Sequence, residues 1–159
     1  NTTSYFQTGR DSTTNRYFIE SNGDFQSATN SYGSTSDIKL KENIEDSGSQ
    51  WDDIKAVKVK KYSMKEDNAD APNRIGVIAQ DLEAAGMNGL VKETPDVDFD
   101  TKEDLGTTTK SVKYSILYMK AIKALQEAMA RIETLETQNT TQATQIADLI
   151  TRVEALEAE

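Results

Sequence analysis

The sequence contains neither cysteine nor histidine. The absence of cysteine excludes a disulfide framework and a thiol nucleophile. Zinc sites built on cysteine or histidine are excluded as well, and so is any Ser-His-Asp triad. Acyl-transfer chemistry in this chain would therefore need Ser or Thr activated by Lys, or a pair of carboxylates.

Apolar residues and positive charge are also scarce. Hydrophobic residues make up 36% of the 159 residues and charged residues 28%, so one chain can bury only a small core and is expected to bury further surface against partner subunits. The net charge of −9 argues against nucleic acid and an anionic membrane surface as partners. The longest apolar stretches are far shorter than the roughly 20 residues that a membrane-spanning helix needs.

Composition divides the chain into three regions, which together predict an α+β fold. Residues 1–35 are rich in Ser, Thr, Asn, Gly and Tyr, and we interpret them as the last piece of a larger β structure. Residues 36–112 mix short apolar runs with polar turns, as is typical of a small domain of short strands and helices. Residues 113–159 are expected to form one long helix.

Local patterns predict the elements within the first two regions. The Asn-Gly pair of residues 21–24 stands between two β-prone runs and indicates a hairpin. In the mixed domain, alternating or continuous apolar runs predict strands, and the segment before Gly86 predicts a helix with that glycine as its C-cap. The predicted strands are 17–20, 25–28, 57–65, 75–79, 90–93 and 111–114, and the predicted short helices are 50–56 and 80–85.

The C-terminal region carries a heptad repeat. Residues 115–159 contain neither glycine nor proline, and a register with Ile122 at position a continues without a slip. The further a and d positions are Leu125, Met129, Ile132, Glu136, Asn139, Ala143, Ile146, Ile150 and Val153. A sustained repeat of this kind specifies a left-handed coiled coil. Isoleucine at both a and d favours trimers or higher states, so we predict a trimeric coiled coil.

The centre of this repeat is polar, with Glu136 at a, Asn139 at d and Thr140 next to it. One interpretation is a weakened, partly frayed segment. The other is a polar layer that sets the register. Asn at d followed by Thr resembles trimeric fibre coiled coils in which three Asn side chains surround an anion. This resemblance implies a chloride ion or a water molecule on the trimer axis at Asn139.

Two acidic groups are interpreted as solvated surface. Asp81 and Glu83 could serve as a carboxylate pair for acid–base chemistry, but charged runs are usually solvent-facing helix residues. The acidic run 96–104 resembles a calcium loop only loosely, because it lacks the glycine at the turn and the spaced bidentate glutamate. We therefore expect no metal ion, and no cofactor other than the axial chloride or water.

Three motifs follow one another along the chain. The first contains Ser36, Asp37, Lys39, Leu40, Lys41, Asn43 and Ile44. The second is Gly-Val-Ile-Ala-Gln-Asp at 76–81, and the third is Tyr-Ser-Ile-Leu at 114–117 followed by Ala-Ile-Lys-Ala-Leu at 121–125. Over about residues 32–136 the chain resembles the self-cleaving intramolecular chaperone domain at the C-terminus of phage endosialidase tailspikes, L-shaped tail fibres and neck appendages.

The resemblance implies a site in the first motif. It places the cut between Thr35 and Ser36, with Ser36 and Lys41 as a catalytic Ser-Lys dyad. Serine is a weak nucleophile until a base removes its proton, and with no histidine available that base is lysine in its uncharged form.

Two neighbouring residues of the motif, Lys39 and Asn43, are candidates for supporting the dyad. Lys39 is the nearest cation that would disfavour a second charge on Lys41, unless it faces water. Asn43 or a backbone amide would donate to the carbonyl oxygen under attack. Taken alone, Ser36 and Asp37 would be read as a turn or helix cap, and Lys41 as an ordinary surface lysine.

The resemblance also implies a function. The chain is expected to be a homotrimeric intramolecular chaperone that folds the fibre or spike chain preceding it and then releases itself. It would belong to a virion tail-fibre precursor that folds in the cytoplasm of the host bacterium, with residues 1–35 as the fibre end. The alternative is a trimeric coiled-coil cap of a fibre or adhesin that uses the same fold without cleavage.

Overall fold

The computed structural model describes residues 4–21, 23–29, 31 and 33–158. The chain forms two compact units, residues 1–45 and 46–159. Short antiparallel strands and one long helix account for most of the regular structure. The predicted α+β class is therefore confirmed.

The first unit contains a three-stranded antiparallel sheet. Its strands are β1 (Tyr5–Arg10), β2 (Asn15–Glu20) and β3 (Phe25–Ser27), in the spatial order β1-β2-β3. The predicted hairpin is present, because β2 pairs with β3 in antiparallel register. Asn22 of its turn lies outside the described residues. Strand β1 was not predicted, since its polar sequence becomes a strand only by pairing with β2.

Among its described residues, the second unit contains two two-stranded antiparallel sheets, three α-helices and a 3-10 turn at Asn88–Leu90. Strand β4 pairs with β5, and β6 pairs with β7. The chain order is α1 (Trp51–Ala56), β4 (Val59–Tyr62), β5 (Arg74–Val77), α2 (Ala79–Ala84), β6 (Val91–Val97), β7 (Asp104–Val112) and α3 (Tyr114–Glu157). Among the described residues, no helix combines the length and the apolar character needed to cross a membrane.

A small apolar core holds the second unit together. It consists of Val77, Leu82, Met87, Leu90 and Leu117, which come from β5, α2, the following turn and the start of α3. Leu82 is the most deeply buried of them, with 1% of its surface exposed. The turn after α2 follows the predicted capping, because Gly86 has a φ of 81° and Met87 N donates to Leu82 O at 2.9 Å.

The segment from 96 to 114 differs from the prediction. The sequence indicated an acidic loop over 96–104 and a short strand over 111–114. In the structure β6 continues past Pro95, and β7 occupies Asp104–Val112 before α3 begins at Tyr114. The threonine-rich run in β7 suits a strand. Proline is tolerated in β6 because this sheet has only two strands and each has an open edge.

A charged side chain of α3 contacts the N-terminus of α1. The carboxylate of Glu127 accepts hydrogen bonds from Ser49 Oγ at 2.7 Å and from Gln50 N at 2.8 Å. An anion at this end satisfies amides that the helix leaves unpaired. The Ser49 hydroxyl and then the Gln50 amide lower the pKa of Glu127. The guanidinium of Arg131 also lies 4.1 Å from the ring centre of Trp51.

This contact predicts a pH-dependent loss of stability in Glu127→Gln. The ionised carboxylate stabilises the folded chain above the reference pKa of 4.5, and that contribution disappears as the pH falls through the lowered folded-state pKa. Thermal unfolding at fixed protein concentration should show Tm lower by a few degrees at about pH 7 and nearly unchanged at about pH 3.

The control for this variant is Glu154→Gln, an exposed position on the same helix. It should leave Tm unchanged at both pH values. A Glu127→Gln variant that loses as much Tm in acid as at neutral pH would show that ionisation of this carboxylate is not what fastens α1.

Candidate active site

The first motif forms a single 3-10 turn, Ile38–Leu40, in the first unit. Asp37 caps this turn, since its Oδ1 accepts a hydrogen bond from Lys39 N at 3.0 Å. Lys41 closes it, because Lys41 N donates to Ile38 O at 3.1 Å. The turn reverses the chain within five residues. Lys41 is thereby returned to the neighbourhood of Ser36.

The two residues of the proposed dyad are in direct contact. Lys41 Nζ donates a hydrogen bond to Ser36 Oγ at 2.7 Å. Both residues are exposed in the single chain, as is Thr35 on the other side of the predicted scissile bond. The separation lies within the range over which a base can take a proton from a hydroxyl. The cap formed by Asp37 and the contact between Lys41 and Ser36 occur in the same short segment.

Lys39 turns toward Asp37 rather than remaining isolated. Its Nζ lies 3.3 Å from Asp37 Oδ2, and its side chain is 74% exposed. The sequence left open whether Lys39 influences Lys41 or faces water. In the single chain it faces water and forms an ion pair with the capping carboxylate, which offsets its charge.

Asn43 has a backbone role in this segment. Its φ of 51° places it in the left-handed region, which asparagine adopts more readily than most other non-glycine residues. The chain therefore bends sharply just after Lys41. This conformation accounts for an asparagine at this point of the motif independently of any hydrogen bond to a reacting carbonyl.

Three large aliphatic side chains within residues 36–44 are exposed to solvent. Ile38, Leu40 and Ile44 are 75%, 65% and 62% exposed. Isolated apolar residues are common on protein surfaces, but three within seven residues form a patch that a partner surface can cover. Covering this patch would also remove water from the neighbouring lysine amine.

The second and third motifs meet in the second unit. A Cβ at Gly76 would lie 2.9 Å from the hydroxyl oxygen of Tyr114 and 3.1 Å from that of Tyr62. Glycine at this position lets the hydroxyl groups of both tyrosines approach the backbone of β5 closely. Tyr114 Oη also accepts a hydrogen bond from Val77 N at 3.4 Å. These two motifs therefore join β5 to the start of α3.

Asp81 and Glu83 form two separate ion pairs instead of a carboxylate dyad. Asp81 lies 2.6 Å from the amine of Lys60, and Glu83 lies 2.8 Å from that of Lys110. Lys60 lowers the pKa of Asp81, and Glu83 raises the pKa of Lys110. The sequence predicted solvent-facing carboxylates here. The structure shows both half-buried, since each packs beside a strand that supplies a lysine.

The acidic loop after β6 satisfies its own backbone. Asp98 Oδ1 accepts hydrogen bonds from Thr101 N at 2.8 Å and Asp100 N at 2.9 Å, and these lower the pKa of Asp98. Within the described part of the chain, no group of three acidic side chains is arranged to hold a metal ion.

Residues 36–92 match the model of the Peptidase_S74 family, described as the chaperone of endosialidase. The resemblance drawn from the motifs is confirmed over this segment. The match begins at Ser36, includes the first two motifs, and ends before the third. No curated protein matches the chain. The family is a peptidase class, and its name indicates a chaperone of an endosialidase, consistent with a chaperone of phage tail fibres.

The stabilising contacts of the second unit had no sequence signal. Glu127 lies 77 residues from Gln50, and the Tyr114 hydroxyl meets the backbone of Val77 37 residues away. Spacing within a motif reports only local neighbours. The Ser36–Lys41 pair was predicted from the resemblance of the first motif to a known family, and the two residues flank one short turn.

Proposed function

We propose that this chain is a homotrimeric intramolecular chaperone of a phage tail fibre or spike, which releases itself by cutting the Thr35–Ser36 bond. The observation that carries the proposal is the 2.7 Å hydrogen bond between Lys41 Nζ and Ser36 Oγ. It supports a Ser-Lys dyad in a chain without histidine. The start of the family match at Ser36 agrees with a released domain that begins there.

The chemistry is an acyl shift followed by hydrolysis. Uncharged Lys41 accepts the Ser36 hydroxyl proton, and Ser36 Oγ attacks the carbonyl carbon of Thr35. As the C–N bond of Thr35–Ser36 breaks, the nitrogen of Ser36 takes up the proton. The resulting ester is then hydrolysed by water, which leaves a carboxylate on Thr35 and regenerates the serine hydroxyl. Each chain performs this reaction once, on itself.

Assembly supplies the condition that the isolated chain lacks. A lysine amine surrounded by water carries a proton at neutral pH and cannot act as a base, whereas burial favours the uncharged form. The dyad and the patch of Ile38, Leu40 and Ile44 are exposed in the single chain. Contact with the other subunits would cover this patch, dehydrate the amine and so couple the cut to completed assembly.

A fibre benefits from such a domain for kinetic reasons. Three intertwined β chains must align before their non-local contacts compensate for the loss of entropy. A trimeric module raises the local concentration of the chain ends and makes that search intramolecular. Removing the module afterwards closes the easiest unfolding route. Folding would take place in the host cytoplasm, before the fibre joins the virion and the chaperone leaves.

The polar centre of α3 is proposed to lie on the trimer axis. Asn139 is exposed in the single chain, and three asparagine amides facing one another would bind a chloride ion or a water molecule. The anion would set the alignment of the three helices rather than take part in the cut.

The test of cleavage is intact-mass measurement of the purified chain during incubation. The unaltered chain is expected to give a product beginning at Ser36, and Ser36→Ala should remain intact. Ser47→Ala, an exposed serine outside the dyad, is the matched control and should cleave normally. Persistent intact mass in the unaltered trimer would favour the non-cleaving structural cap.

A further inference from the structure

Helix α3 uses one side for its own chain. Leu117 and Ala124 are buried, Lys120 forms an ion pair with Asp53, and Glu127 and Arg131 contact the N-terminal end of α1. Positions separated by three and four residues lie on one face of a helix. This face is therefore already occupied by the small domain of the same chain.

A second face of α3 is mostly apolar and exposed, and its polar members, Asn139 and Gln142, lie at its centre. Each of its residues comes one position after a residue of the occupied face, so this face is rotated by about 100° around the helix axis. Its first residue is Leu125. Beyond the small domain it repeats as an aliphatic residue followed three positions later by leucine. These pairs are Ile132 and Leu135, Ile146 and Leu149, and Val153 and Leu156, with exposures from 50% for Val153 to 71% for Leu156.

This repeat defines a heptad register different from the one that starts at Ile122. Position a is then occupied by Leu125, Ile132, Asn139, Ile146 and Val153, and position d by Ala128, Leu135, Gln142, Leu149 and Leu156. The earlier register leaves three leucines outside the seam and buries Glu136 within it. A carboxylate removed from water without a partner costs several kcal/mol, whereas buried leucines are favourable. Asn139 lies in the seam in both registers.

The charges of α3 agree with this register. Arg131 and Arg152 fall at position g, and Glu136 and Glu157, five residues later, fall at position e. When two such helices are parallel and in register, the g position of one lies beside the following e position of the other. Arg152 then meets Glu157 of a neighbouring chain, whereas Arg131 already contacts Trp51 of its own chain. An antiparallel arrangement loses this match.

We propose that α3 associates with second and third copies of itself, parallel and in step, through the seam that contains Leu135, Leu149 and Leu156. Ile122, Met129 and Ile150 fall at position e and widen the apolar stripe beyond a strict a and d seam. A β-branched residue at a with leucine at d favours two strands when the stripe is narrow, so this extra width is what argues for three. The inference deepens the homotrimer of the proposed function and rests on it.

The absence of cysteine makes disulfide cross-linking the direct test. Leu149→Cys, Ile150→Cys and Thr151→Cys are prepared in the full chain and oxidised under identical conditions. Leu149→Cys should form interchain disulfides at least about tenfold faster than Thr151→Cys, which faces outward. Ile150→Cys should fall between them. Because each disulfide uses two of three thiols, the Leu149→Cys product should level off at about two thirds of the chains.

Any other result contradicts part of the proposal. Faster oxidation of Ile150→Cys than of Leu149→Cys restores the register that starts at Ile122. Equal, slow oxidation of all three variants excludes parallel helices in step, and complete conversion of Leu149→Cys indicates two strands. The same samples are then reduced, and their intact mass gives the fraction of chains cleaved to the product that begins at Ser36. Normal cleavage without cross-linking rejects the seam alone, and cross-linking without cleavage rejects the self-cutting function alone.

Discussion

Lys41→Met is expected to abolish the product that begins at Ser36, whereas Lys39→Met should cleave at close to the normal rate. Lys41 Nζ contacts the Ser36 hydroxyl at 2.7 Å, while Lys39 pairs with Asp37 and faces water. A positioned general base typically contributes about 10²–10⁴-fold to a rate. The measurement is the time course of intact mass, on samples whose oligomeric state is checked in parallel.

The two lysines form a matched pair for this experiment. They lie two residues apart, both are exposed, and both substitutions remove one positive charge from the same turn. A general effect of charge on folding would therefore slow both variants alike. Equal cleavage rates in the two variants would exclude Lys41 as the base.

The second large effect is expected in the core of the small domain. Leu82→Ala removes the side chain that is only 1% exposed and is surrounded by Val77, Leu90 and Leu117. Truncating a buried leucine costs about 2–5 kcal/mol. Denaturant unfolding of the Leu82→Ala chain, at the same protein concentration as the unaltered chain, should show a correspondingly lower midpoint.

An exposed leucine provides the comparison for Leu82. Leu105 on β7 is 58% exposed, so Leu105→Ala should cost less than about 1 kcal/mol. If Leu82→Ala does not fold, Leu82→Met keeps the volume and should cost less than about 1.5 kcal/mol. Equal midpoints for Leu82→Ala and Leu105→Ala would show that the small core does not limit stability.

The first motif contains the proposed catalytic residues, whereas the second and third motifs contribute to packing. The first brings a hydroxyl and an amine together on a single turn, and Asp37 sets the geometry of that turn. The second and third meet where Tyr114 packs over Gly76, which joins the start of the long helix to the small domain.

The predictions from sequence that failed concern residues whose structure depends on contacts with a distant strand or helix. The sequence predicted a loop up to residue 104 and a strand only from residue 111, yet residues 104–110 form most of β7 because β6 offers a pairing partner. The sequence predicted Asp81 and Glu83 of α2 as surface residues, yet each forms an ion pair with a lysine from a strand. In both cases the competing influence comes from residues far away in the chain, which local periodicity does not report.

The sequence by itself determined the exclusion of thiol and histidine chemistry, the α+β class, the hairpin of β2 and β3 and the long helix. These features depend on residue type and short-range spacing, which local backbone geometry translates directly into structure. The tertiary structure alone decided the extent of β7, the capping of α1 by Glu127 and the side of α3 that remains exposed. Those outcomes depend on which surfaces become neighbours when the chain folds, and hydrogen bonds and burial select among alternatives that look equivalent along the sequence.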